Sequence, residues 1–152
     1  MKTLYLLTLA AISFVSCSGP SIEVHRDNPV IGTWKLISGT LIQNGDTVTT
    51  DYTKDVSFIK IINADHFAFL QHDLKKGADS NKVFVAGGGK YDFNDSSYTE
   101  HLEYCSAREW EGNDFSFTVS FSGDTLVQKG IEKIASQNVD RLNIEKYVRL
   151  KN

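Results

Sequence analysis

Several side chains of the kinds that do chemistry sit together in one stretch, Tyr98-Thr99-Glu100-His101-Leu102-Glu103-Tyr104-Cys105. Read as a strand, it alternates between two faces, with Tyr98, Glu100, Leu102 and Tyr104 on one and His101 and Glu103 on the other. Glu100 then shares a face with aromatic residues. A carboxylate buried among them costs free energy unless it is paired or hydrogen-bonded, which makes it a handle for the polar end of a ligand. At a rim, in water, it would have no such role. His101, Glu103 and His66 are metal-ligand types but lack the close spacing of zinc motifs, so no metal is expected. Cys105 has no neighbours that would lower its pKa and reads as a small buried hydrophobe. There is no nucleophile elbow and no Ser/His/Asp spacing of a known type. Glu100 and Glu103 point opposite ways, so they make no catalytic pair. Gly87-Gly88-Gly89 lacks the following helix and the Lys-Ser/Thr pair of a phosphate loop; it reads as a curvature device in a sheet. The expectation is a protein that is not an enzyme and uses no cofactor.

The elements that must position these residues are strands broken by turn chemistry. Pro29-Val30-Ile31-Gly32-Thr33-Trp34-Lys35-Leu36-Ile37-Ser38-Gly39 opens the fold, with Gly32 at a close-packed entry. The first strand runs from Gly32 to Ile42, and Thr47 to Tyr52 is a short edge strand. Ser57 to Asn63 and His66 to His72 form a hairpin. A charged loop leads to Lys82–Ala86, then through the glycines into Lys90–Phe93. Tyr98 to Cys105 follows, and a loop carries Trp110, either a lid or an anchor on the rim. Asp114 to Phe121 alternates Phe115, Phe117, Val119 and Phe121 against Ser116, Thr118 and Ser120. Thr125 to Lys129 is next, Ile131 to Asn143 is less β-like and holds a helical turn or two, and Ile144 to Leu150 closes the chain. The pattern is all-β: an antiparallel up-and-down barrel of about eight to ten strands.

Taking charged residues as outward assigns the inner face. Lys35 outward puts Trp34, Leu36 and Ser38 inside; Lys60 outward puts Ile59 and Ile61 inside. Lys90 and Asp92 outward put Gly89, Tyr91 and Phe93 inside. Phe67, Phe69 and Gln71 oppose His66 and His72, and Leu126 and Gln128 oppose Lys129. The candidate cavity is therefore lined by Phe67, Phe69, Gln71, Tyr91, Phe93, Tyr98, Glu100, Leu102, Phe117, Val119 and Gln128. An eight-stranded barrel is wide enough to hold one small ligand or to be filled by its own side chains.

The chain has 152 residues, enough for one domain with a real core. Aromatics make up 11% and Pro only 2 residues, which excludes a disordered chain. The net charge is -3 with both signs scattered, so no nucleic-acid partner is expected. Lys2 followed by the apolar run Leu4–Val15 reads as a leader too short to span a bilayer. Its end, Phe14-Val15-Ser16-Cys17-Ser18-Gly19, resembles the lipobox of a bacterial lipoprotein, with Phe14 where Leu is usual. The resemblance implies lipid attachment at Cys17 and a signal peptide over 1–17; the polar, Pro20-containing stretch over 18–29 reads as a tether, and the strand-bearing part over 30–152 as the barrel. The other reading is an ordinary secreted protein cleaved nearby. Ser18-Gly19-Pro20-Ser21 has no acidic run, which resembles outer-membrane lipoproteins facing the periplasm.

Gly32-x-Trp34 resembles the opening strand of lipocalins and fatty-acid-binding proteins, where the Trp plugs one barrel end and an Arg from the last strand lies across it. That resemblance implies barrel closure by Trp34 and Arg149. Phe84-Val85-Ala86-Gly87-Gly88-Gly89-Lys90-Tyr91 and Tyr98-Thr99-Glu100-His101-Leu102-Glu103-Tyr104 resemble a lipocalin-like (calycin-type) family of bacterial lipoproteins of unassigned function. It implies a membrane-tethered barrel in the cell envelope. Two functions follow as expectations. In one, a monomer binds a small apolar or amphiphilic molecule inside the barrel. In the other, a solid barrel acts through its loops as an interaction or inhibitor module.

Overall fold

The computed structural model describes residues 28–78, 80 and 82–151. The expected signal peptide, Cys17 and nearly all of the expected tether fall outside these residues. The strands are β1 (Gly32–Gln43), β2 (Asp46–Asp51), β3 (Val56–Ile62), β4 (His66–Asp73), β5 (Phe84–Asn94), β6 (Ser97–Cys105), β7 (Asn113–Ser122), β8 (Thr125–Ile134) and β9 (Val139–Arg149). Successive strands pair antiparallel from β3 to β9, and β1 closes the ring by pairing with both β9 and β3. The result is a closed eight-stranded up-and-down barrel. The ninth strand, β2, is an extra: it pairs with the second half of β1 alone, at Ser38–Gln43, above the point where β3 leaves it.

One barrel end is packed solid. Val30, Trp34, Leu36, Ile62, Phe67, Tyr98, Leu126 and Tyr147 are each 3% exposed or less. Trp34 Nε1 donates to the Val30 carbonyl at 2.7 Å. The Arg149 guanidinium lies 4.0 Å from the Trp34 ring centre and donates to the carbonyls of Ile31 at 2.6 Å and Pro29 at 2.7 Å. Gly32 has φ +147°, and a Cβ there would collide with the Arg149 guanidinium. That close approach explains the glycine two residues before the tryptophan.

Two bulges reset the alternation of side chains, and each overturns an assignment made by parity. Ile37 is an extra residue in β1 opposite β9, because Leu36 faces Tyr147 and Ser38 faces Lys146. Ser38 is therefore carried off the inner face, and Gly39 and Leu41 take its place. The glycine run does accompany a bulge, but the extra residue sits in the partner strand. Gly88 faces Tyr104 and Gly89 faces Leu102, leaving Glu103 unmatched in β6. Beyond it Tyr104 points outward and is 68% exposed, not inward. A third correction concerns β3. Lys60 is 2% exposed and points into the barrel, while Ile61 is 40% exposed. The rule that charges face out fails here because Lys60 finds a carboxylate inside. The last two strands are also longer than expected. The helical turn between them is confined to Ala135–Gln137, so β8 reaches Ile134 and β9 begins at Val139.

Gly89 lies tight against β6, since a Cβ there would run into the His101 carbonyl oxygen. Gly89→Ala is expected to lower stability by about 1–3 kcal/mol through overpacking. Urea unfolding followed by tryptophan fluorescence measures it.

Candidate functional site

Above the packed end the barrel is hollow. A cavity of about 190 Å³ is lined by residues of the upper halves of the strands, among them Gly39, Leu41, Tyr52, Phe58, Phe69, Leu102, Cys105, Trp110, Phe115 and Phe117. Its floor and one wall are polar: Lys60, Glu100, Gln128, Glu132, Arg141, Asn143, Glu145 and Tyr147. The floor is built around Lys60, whose Nζ donates to Glu100 Oε1 at 2.7 Å and to Gln128 Oε1 at 3.2 Å. Glu145 Oε2 stands 3.8 Å from the same ammonium and accepts the Tyr147 hydroxyl at 2.7 Å. The ammonium also lies 5.2 Å from the Tyr147 ring centre and 5.9 Å from that of Phe67. Lys60 comes from β3, Glu100 from β6, Gln128 from β8 and Glu145 from β9, so the cluster reaches across the lumen.

Burial works against the charge on Lys60, but Glu100 and Glu145 overcome it and raise its pKa, so the amine stays protonated. Burial pushes the Glu100 carboxyl above the usual carboxylate range, against the pull of Lys60. Tyr98, just below, has a buried hydroxyl without a hydrogen-bond partner among the described residues. Burial, reinforced by the Glu100 charge, raises its pKa far above the ordinary tyrosine value.

A second pair guards the mouth. Arg141 Nε donates to Glu132 Oε2 at 2.6 Å, and Asn143 Nδ2 donates to Glu132 Oε1 at 2.7 Å. The Arg141 guanidinium lies 5.1 Å from the Trp110 ring centre, and Trp110 packs on Phe115 at 5.7 Å. Trp110 sits on a short helical turn, Arg108–Trp110, and is half-buried. It is thus an anchored part of the wall. On the opposite wall Phe58 stacks on Phe69 at 5.9 Å and meets Tyr52 edge-on at 5.7 Å.

The residues expected to line a cavity divide by height. Phe69, Glu100, Leu102, Phe117 and Gln128 line it. Phe67, Tyr91, Tyr98 and Val119 belong instead to the packed core below, and Phe93 lies half-buried beside Tyr98. Gln71 is half-buried opposite Phe58 and does not line the cavity. Sequence reasoning missed Lys60, Glu132, Arg141, Asn143 and Glu145. The last three were within reach: with Tyr147 and Arg149 they follow the two-residue period of β9. His101 is on the outer face, where its ring nitrogens meet Asp114 at 2.8 Å and Asp92 at 2.9 Å. No group of three or more His, Cys, Asp or Glu side chains is placed to hold a metal among the described residues. Cys105 is half-buried at the cavity wall with a free thiol. A wider, shallower depression of about 530 Å³ lies outside β4 and β5, over Gly87–Gly89.

No protein-family model and no curated protein matches this sequence. Among solved structures, an uncharacterized protein from Bacteroides eggerthii DSM 20697 is similar, with 10% identity and a TM-score of 0.45. The match covers 79% of this chain and 98% of that one.

Two predictions test the site's electrostatics. Lys60→Ala strands Glu100 in the interior and is expected to cost about 3–5 kcal/mol. Replacing both partners, Lys60→Met with Glu100→Leu, is expected to restore most of that loss, as read from urea midpoints. Separately, hydrogen bonds that the His101 ring donates to Asp92 and Asp114 raise its pKa above 6.5. The folded state then holds the proton more tightly than the unfolded one. His101 thus contributes stability that is full below pH 6.5 and lost as pH rises through its folded value. His101→Gln is expected to flatten the stability profile across that range.

Proposed function

We propose that this protein is a binding module that takes one compact amphiphilic molecule into the open half of the barrel. The observation that carries the reading is the pairing of an aromatic wall with a buried, polar floor at Lys60, Glu100 and Gln128. Ligand sites are concave and mainly apolar, with a few well-placed polar groups that fix orientation. Burial of the ligand's apolar part against Phe58, Phe69, Phe115 and Trp110 would supply affinity. Its polar end would be fixed by the floor. The volume, about 190 Å³, lies below the roughly 300–1,000 Å³ of drug-sized sites, so the ligand is small. A purely apolar molecule fits less well than the sequence suggested, because it would leave the floor's charges facing hydrocarbon.

Binding without catalysis is the mode favoured. A lysine that acts as nucleophile or base needs a lowered pKa, and the carboxylates around Lys60 do the opposite. The resemblance to lipocalin-like lipoproteins supports a monomer tethered through a lipid at Cys17 to the outer membrane, facing the periplasm. The alternative, a solid barrel working through its loops, has the packed Trp34 end in its favour and the cavity against it.

Binding to the folded state raises stability by about 2.7 kcal/mol at a free ligand concentration 100 times Kd. A thermal-shift panel of compact amphiphiles is expected to include compounds that raise Tm by several degrees. Thr50→Trp, which places bulk at the mouth from β2, is expected to abolish those shifts while leaving the unliganded Tm within about 2 °C. A panel with no shift in the parent protein would contradict the reading.

A further inference from the structure

Five charged side chains line the cavity: Lys60, Arg141, Glu100, Glu132 and Glu145. Two cations against three carboxylates leave one negative charge in excess. The short pairs locate it. Lys60 is committed to Glu100 at 2.7 Å and Arg141 to Glu132 at 2.6 Å. Glu145 has the Tyr147 hydroxyl and only a distant share of Lys60, at 3.8 Å. Its side chain is 17% exposed, so water screens it poorly. A carboxylate in that position gains from a cation brought into hydrogen-bonding range.

We propose that the cavity selects a positively charged ligand, a compact aryl- or alkylamine whose ammonium lodges against Glu145 with its apolar part between the aromatic walls. The proposal rests on the reading of the cavity as a ligand site. Three features agree with it. An anionic ligand would bring a fourth negative charge into a space already one in excess. Arg141, the cation nearest the mouth, already has Glu132 as its counter-ion and its guanidinium over Trp110, so a ligand carboxylate would have to compete with Glu132. The ring pairs Phe58–Phe69 and Trp110–Phe115 give the amine's apolar part its walls.

The test is calorimetric titration of the full chain with three probes of one shape: 2-phenylethylamine, 2-phenylethanol and phenylacetate. The amine is expected to bind tightest, by about tenfold or more over the alcohol, the value of a hydrogen bond to a charged group. Phenylacetate is expected to bind weakest. Glu145→Gln is expected to bring amine and alcohol within about threefold of each other. Equal or tighter binding of the alcohol or the acid by the parent protein overturns the charge selection and leaves the cavity reading standing. If none of the three binds, both fall. The comparison within the parent protein needs no variant to fold. Retention of the full amine preference in folded Glu145→Gln would also overturn the assignment.

Discussion

A lysine ammonium and a glutamate carboxylate, 2.7 Å apart and buried inside the barrel, constrain the rest of this structure. Neither could be buried alone, since an unpaired interior charge costs several kcal/mol. Each therefore demands the other, and they come from strands that do not touch: β4 and β5 lie between β3 and β6. The barrel must close at a register that brings Lys60 and Glu100 to the same height. A slip of one residue in either strand would turn its charge outward and bury the neighbour instead. Gln128 and Glu145 add β8 and β9 to the same point.

The cluster also divides the barrel. Below it, Trp34, Tyr98, Tyr147 and Phe67 fill the lumen, and Arg149 closes the end over Trp34. Above it, the strands carry polar groups and small residues as well as rings, and space remains. Long side chains below and Gly39, Cys105 and Thr50 above account for much of the difference. The bulge at Ile37 places Gly39 inward, and the bulge at Glu103 sends Tyr104 outward. A tyrosine directed inward at that height would have filled the hollow that Cys105 now borders.

Much of this was legible in the sequence. Strand boundaries were marked by turn residues, and β7 announced its inner face by strict alternation of Phe115, Phe117 and Val119. The Gly32-x-Trp34 opening and Arg149 pointed to one end of the barrel, and the geometry there explains the glycine. What escaped has a common cause. Parity was read by sending every charge to solvent, which is sound for a strand whose other face is apolar. In β3, Phe58-Ile59-Lys60-Ile61-Ile62 is apolar on both faces, so the lysine alone decided, and it decided wrongly. Glu100 was seen to need a partner, but a partner on a strand far away in the chain leaves no local trace. Bulges are equally silent: a single inserted residue changes every later assignment on the strand. For β9 the signal was present, because Arg141, Asn143, Glu145, Tyr147 and Arg149 keep one period. Its first half reads as too polar for a core strand, and in this barrel that polarity lines the cavity.

The most direct test is carbon-13 NMR of the glutamate carboxyls, with nitrogen-15 observation of lysine ammonium groups, during titration with 2-phenylethylamine. The account predicts saturable shifts at Glu145, Glu100 and Lys60, with Glu103 and Glu109 on the outside unmoved. Shifts confined to groups around the outer depression over Gly87–Gly89, with the interior three unchanged, would contradict it.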